Sequence, residues 1–153
     1  MTTRNKPVVE GLDHVGLSCA DLDAAIEFFS GVLGIAVRSE GDLNGGRAGA
    51  AVGHPELRGR YADLDLGAGR TLELFEIHEP HGEPLCPDPL RPGGGHLALR
   101  VDDIDAVLER VNAAGYESAS PAAIDLEEPG FWHGARVVYV TGPDGIVIEF
   151  IER

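Results

Sequence analysis

Four side chains in this sequence have the types and places to hold one divalent metal: His14, Glu73, His96 and Glu149. Two imidazoles and two carboxylates make an N2O2 set suited to a first-row ion. A carboxylate held loosely in such a set can also take a proton from carbon next to a carbonyl. Each glutamate lies inside a strongly apolar run, TLELFEI for Glu73 and IVIEFIE for Glu149. A lone carboxylate is expensive there, so each asks for a partner. Taken singly, a strand histidine is more often structural and a strand glutamate more often solvated. The joint pattern of the four carries the metal reading.

The elements that must position them repeat. Shifting by 82 positions lays His14–Phe29 (HVGLSCADLDAAIEFF) on His96–Val111 (HLALRVDDIDAVLERV), with histidine on histidine, Asp21 on Asp103, Asp23 on Asp105 and Glu27 on Glu109. A repeat in a short chain marks supersecondary units that need each other to bury a face. Residues 12–20 alternate as a strand. Asp21 then caps a helix over 22–33, and Gly34 stops it. Strands follow at 35–40, 60–66 and 70–77. Residues 41–59, rich in Gly and Ala, read as a long excursion or a poorly formed hairpin. The second copy predicts a strand at 96–101, a helix at 103–114 stopped by Gly115, a short strand at 116–119, a loop at 120–134, and a hairpin of 135–140 with 146–151 across Pro143-Asp144-Gly145.

Each half is thus strand, helix, strand, strand, strand. The fold class is α+β: two tandem βαβββ modules forming a curved mixed sheet around a central metal site, helices on the outer face. Residues 11–77 make the first module, 78–94 a Pro/Gly-rich connector and 95–152 the second module, all in one structural domain. Strand parity puts Leu72, Leu74, Leu97, Leu99, Ile148 and Phe150 under the helices. His14, Glu73, Phe75, His96, Arg100 and Glu149 then share the other face.

Composition narrows the function. A net charge of −14 argues against nucleic acid, whose phosphates need a basic surface. Lys6 is the only lysine, and arginine supplies the other positive charges. No apolar run reaches membrane-spanning length and residues 1–10 lack a signal-peptide core, so a cytoplasmic location and no membrane partner are expected. Two cysteines make no disulfide framework. Cys19 reads as a core thiol and Cys86 as a connector residue, and neither as a nucleophile. His54, His78 and His81 fall in loops and are assigned no role.

The segments HVGL with DLDAAIEFF, TLELFEI, GHLALRVDDID and GPDGIVIEFIE resemble the vicinal oxygen chelate superfamily, which includes glyoxalase I, methylmalonyl-CoA epimerase, extradiol dioxygenases, fosfomycin-resistance enzymes and bleomycin-binding proteins. The resemblance runs from Gly11 to Glu152. It implies paired βαβββ modules around one metal, with His14, Glu73, His96 and Glu149 as ligands. It also implies a small-molecule substrate with adjacent oxygens, and a homodimer is expected on general grounds.

A fourth ligand, Glu73, resembles the glyoxalase I or epimerase set. The expected activity is then a metal-dependent lyase or isomerase using Ni, Co, Zn, Mg or Mn, with Glu149 or Glu73 as base. The alternative is an extradiol-type Fe(II) ring-cleaving dioxygenase with Glu73 a bystander, and a weaker one is an antibiotic-binding or resistance protein. Arg38, Arg58, Arg60, Arg100 and Arg136 are candidate anchors for an anionic substrate. Phe75, Trp132 and His133 are candidates to wall the pocket.

Overall fold

A computed structural model of the chain describes residues 8–83 and 88–153. Lys6, Cys86, most of the polar leader and the middle of the connector lie outside the described residues.

The first module runs β1 (His14–Cys19), α1 (Leu22–Ile26), β2 (Val37–Asn44), α2 (Gly46–Ala51), β3 (Arg58–Gly67) and β4 (Arg70–Glu79). Its sheet has the order β1-β4-β3-β2, with β1 parallel to β4 and the other pairs antiparallel. The second module runs β5 (Leu97–Val101), α3 (Ile104–Ala113), β6 (Glu117–Ser118), β7 (Ile124–Asp125), β8 (Arg136–Thr141) and β9 (Val147–Glu152). Here the order is β5-β9-β8-β6, and β7 also pairs with β8. The class is α+β with mixed sheets, and each module forms its own open sheet.

Both helices start the same way. The Asp21 and Asp103 side chains accept from the backbone N–H three residues on, at 3.0 and 2.9 Å. The first N–H of each helix donates to a glutamate of the module's last strand, Leu22 to Glu76 at 3.0 Å and Ile104 to Glu152 at 2.8 Å. Those contacts satisfy donors that a helix leaves open at its N-terminus. The expected helix over 22–33 differs in its second half. After Ile26 it widens into a π-helical stretch, Glu27–Val32, and the neighbours Phe28 and Phe29 are both fully buried there.

Two expected loops contain structure. Strand β2 continues to Asn44 and α2 follows it, so the excursion is shorter than its composition suggests. Gly49 of α2 packs so closely on the His54 carbonyl that no Cβ fits between them. The loop at 120–134 contributes β7 to the second sheet.

The helix-covered faces of the two sheets share one core, whose buried members include Leu72, Leu74 and Phe29 from the first module and Val138, Ile148 and Phe150 from the second. Phe28 packs edge-on against Tyr116 of the other module, centroids 4.5 Å apart. The Ala20 N–H donates to Asp144 across the same seam at 2.7 Å. Because the covered faces meet, the open faces point away from the core. No helix among the described residues is long and apolar enough to cross a membrane.

Candidate metal centre

The open face of each sheet carries one histidine and one glutamate in contact. In the first module His14 opens β1 beside Thr71, and Glu73 lies two residues further along β4. His14 Nε2 stands 3.5 Å from Glu73 Oε2. In the second module His96 precedes β5, and its Nε2 lies 3.1 Å from Glu149 Oε2 on β9. Strand alternation produces this placement: Leu72, Leu74, Ile148 and Phe150 on either side of the glutamates are buried, which turns the carboxylates outward.

The donor chemistry fits a divalent ion. Adjacent ligands on an ion with bonds of about 2.1 Å sit about 3 Å apart, close to both His–Glu spacings. His14 has the outer support common to metal-bound imidazoles, since its Nδ1 is 2.8 Å from Asp13 Oδ1 and Nε2 is left to face the site. That hydrogen bond, and then the Glu73 charge, hold the His14 pKa above its ordinary value. Burial lifts the Glu73 carboxyl, His14 opposes that lift and Asp63 adds to it.

The four side chains come together as two pairs. Among the described residues of one chain, no three His, Cys, Asp or Glu side chains gather closely enough to hold one ion.

Each pair has a further neighbour on the adjacent strand. Asp63 stands opposite Glu73 in register, and Tyr139 stands opposite Glu149. The Tyr139 ring also meets His96 edge-on at 5.2 Å. Burial first, and then the Glu149 charge, raise the Tyr139 phenol pKa. The signal was available, because the last two strands of the modules repeat at an offset of seventy-six, which places Asp63 on Tyr139. An open cleft of about 480 Å³ lies beside the second pair, bounded by His96, Tyr139, Thr141, Val147 and Leu90.

The other candidates scatter. Phe75 lies on the first open face, next to Glu73. Arg100 shares a strand face with His96 but is four residues on, and its guanidinium donates to the Arg153 carbonyl at 2.9 Å. Trp132 and Phe131 flank the Arg153 guanidinium, with Trp132 4.7 Å from it. His133 bonds to the Glu127 carbonyl. Neither Trp132 nor His133 joins a His–Glu pair. Three of the candidate anchors are engaged by acids: Arg38 by Asp65, Arg60 by Asp23 and Arg136 by Asp105.

Residues 11–150 match the sequence profile of the Glyoxalase/Bleomycin resistance protein/Dioxygenase superfamily. The chain belongs to this superfamily. It is 35% identical to a 2-epi-5-epi-valiolone epimerase of an Actinomyces species, over 99% of this chain and 84% of that protein. It is also 27% identical to a lactoylglutathione lyase of Arabidopsis thaliana, over 92% of this chain, and there it spans only 43% of the plant protein. A glyoxalase family protein from Bacillus cereus of known crystal structure shares the superfamily fold, with a TM-score of 0.81 at 22% identity over 98% of each chain.

Proposed function

We propose that this superfamily member is a divalent-metal-dependent isomerase or lyase that moves a proton on carbon next to a carbonyl. Its site would join the His14–Glu73 pair of one chain to the His96–Glu149 pair of a second copy. One observation carries the reading: equivalent His–Glu pairs sit on open faces directed away from the core they share. A single chain offers two half-sets, and a twofold dimer pairs unlike halves twice. The epimerase and lyase names of the relatives support the reaction class.

These four side chains would hold a divalent metal, which would supply Lewis-acid chemistry for a substrate carbonyl. The histidines hold position through Nε2. One glutamate takes the proton as the C–H electron pair moves toward the carbonyl. A proton given by the other glutamate to the carbon's opposite face would give an epimer, and the abstracted proton returned to the neighbouring carbon would give an isomer. Tyr139, opposite Glu149 in register, would cover one side of that carboxylate.

Mixing two inactive variants tests the assembly. His14→Ala and His96→Ala should each be inert alone. A hybrid dimer holds one intact site and one doubly broken site, so random exchange should restore roughly a quarter of wild-type sites. No restoration in demonstrably mixed dimers would sink the two-chain site.

A further inference from the structure

Apart from the shared histidine, the first module's open face differs from the second around the glutamate. Register places Asp63 beside Glu73 and Tyr61 beside Phe75, so a carboxylate row lies next to an aromatic row. The equivalent pairs in the second module are Tyr139 with Glu149 and Val137 with Ile151. Gly16, next to Glu73 on β1, leaves the approach open: a Cβ there would come 3.2 Å from the Phe75 ring and 4.0 Å from Glu73 Oε2. Ser39 donates to Asp63 Oδ2 at 2.6 Å, which orients the carboxylate. Oδ1 takes no hydrogen bond among the described residues, and an ionised carboxylate is acceptor-only, so it suits a hydroxyl donor.

Charge points the same way. A divalent ion held there would be balanced by Glu73 and Glu149, which would leave the Asp63 charge beside Glu73 uncompensated. Arg38, the arginine bound near this row, is held by Asp65 at 2.6 Å and by Thr71. Arg100 lies roughly 13 Å along its strand from His96, at about 3.3 Å per residue.

Resting on the proton-transfer reading above, we infer that the substrate is a neutral, ring-shaped polyhydroxy ketone. Asp63 accepts from its hydroxyls, the Tyr61–Phe75 pair packs on its apolar ring face, and the Asp63 charge turns away anionic thiol adducts and acyl thioesters. Asp63 is thus the specificity-determining residue. A site built to accept from a hydroxyl discriminates strongly against ligands that lack it, and like-charge juxtaposition disfavours the wrong partner.

The test uses the full chain reconstituted with metal and two probes: scyllo-inosose, a neutral pentahydroxy ketone, and the glutathione–methylglyoxal hemithioacetal. Calorimetry reads binding, and NMR in deuterated water reads exchange of the proton next to the carbonyl. The wild type should bind the ring ketone at least roughly tenfold more tightly than the hemithioacetal. Asp63→Asn should weaken ring-ketone binding roughly ten- to a hundredfold, acting on KM more than kcat, with metal content unchanged. Phe75→Leu should weaken it separately, which keeps the test usable if the Asp63 variant misfolds. Preference for the hemithioacetal, failure to bind the ring ketone, or indifference of ring-ketone binding to Asp63→Asn overturns the inference. Ring-ketone binding that depends on Asp63, with no exchange in either probe, upholds the binding site and sinks the proton-transfer reading instead.

Discussion

Arg60 grips Asp23 through two hydrogen bonds, Nη2 to Oδ1 at 2.7 Å and Nη1 to Oδ2 at 3.2 Å, and so ties β3 to the first turn of α1. Arg136 does the same for α3 through Asp105 at 2.9 Å. Each guanidinium also stands 3.6 Å from the glutamate that accepts from the helix's first N–H, Glu76 or Glu152. The carboxylates thus cluster at the positive end of each helix, where the dipole favours them. Asp103→Ala should cost about 1 kcal/mol by removing the cap. Urea unfolding should show a lower midpoint at unchanged slope.

Acid should unfold the protein through these same groups. Asp23 and Asp105 are held below the ordinary Asp value of 3.8 by their arginine hydrogen bonds, and Asp65 by the Gly67 N–H and then Arg38. Glu76 is held below 4.5 by the Leu22 N–H and then His78. A depressed folded pKa contributes stability that is complete above the unfolded value and is lost as pH falls through the folded one. Thermal melts should therefore change little from neutrality to about pH 5 on account of these groups, and should collapse below about pH 4. Concentrated salt should flatten the trend, since most of these carboxylates are exposed.

Glu73 has the opposite sign. Its raised pKa means that the ionised form destabilises the metal-free fold above that pKa, and protonation relieves it. Glu73→Gln should raise the melting temperature of metal-free protein at neutral pH while weakening metal binding. A fall in both would contradict the burial argument.

At the metal itself, His96→Ala should abolish binding and activity together. Glu149→Gln keeps an oxygen ligand and removes a base. Metal content should largely survive as the proton-transfer rate falls by about two to four orders of magnitude, if Glu149 is the glutamate that takes the proton. Metal affinity should weaken as pH drops through the raised His14 pKa, because ligands must lose their protons to bind. Metal content after dialysis and single-turnover exchange read these outcomes. Unchanged metal and turnover in Glu73→Ala would favour a three-ligand oxygenase.

The Cys19 thiol is buried, donates to the Phe75 carbonyl at 3.3 Å, and is pushed up to about 12, chiefly by burial. It should resist thiol reagents at neutral pH until the protein unfolds, since the thiolate is the reactive form. Mass spectrometry of the Cys19 peptide before and after denaturation checks this.

The site was legible where alternation speaks. Buried Leu72 and Leu74 leave Glu73 only one face to occupy, and Leu97 does the same for His96. The 82-residue shift found the first strand and helix of each module but not Asp63 with Tyr139 or Arg60 with Arg136. Those strands repeat at seventy-six, because α2 and its turns lengthen the first module between helix and sheet. The π-helical widening was illegible since periodicity assumes 3.6 residues per turn. Nor does parity say which two faces share a core. It put the four candidate ligands on open faces, and the packing of Phe28 on Tyr116, with the buried residues of both modules in one cluster, is what joins the covered faces.

Dividing the candidate ligands between the open faces of two sheets has a cellular consequence. On the two-chain reading, a dissociated subunit is fully folded yet chemically silent, so activity rises faster than linearly with abundance until every subunit has a mate. A cell making little of this protein would get almost no turnover from it. A copy with its second half damaged would sequester healthy subunits, disabling one site in each mixed pair while leaving the other at work.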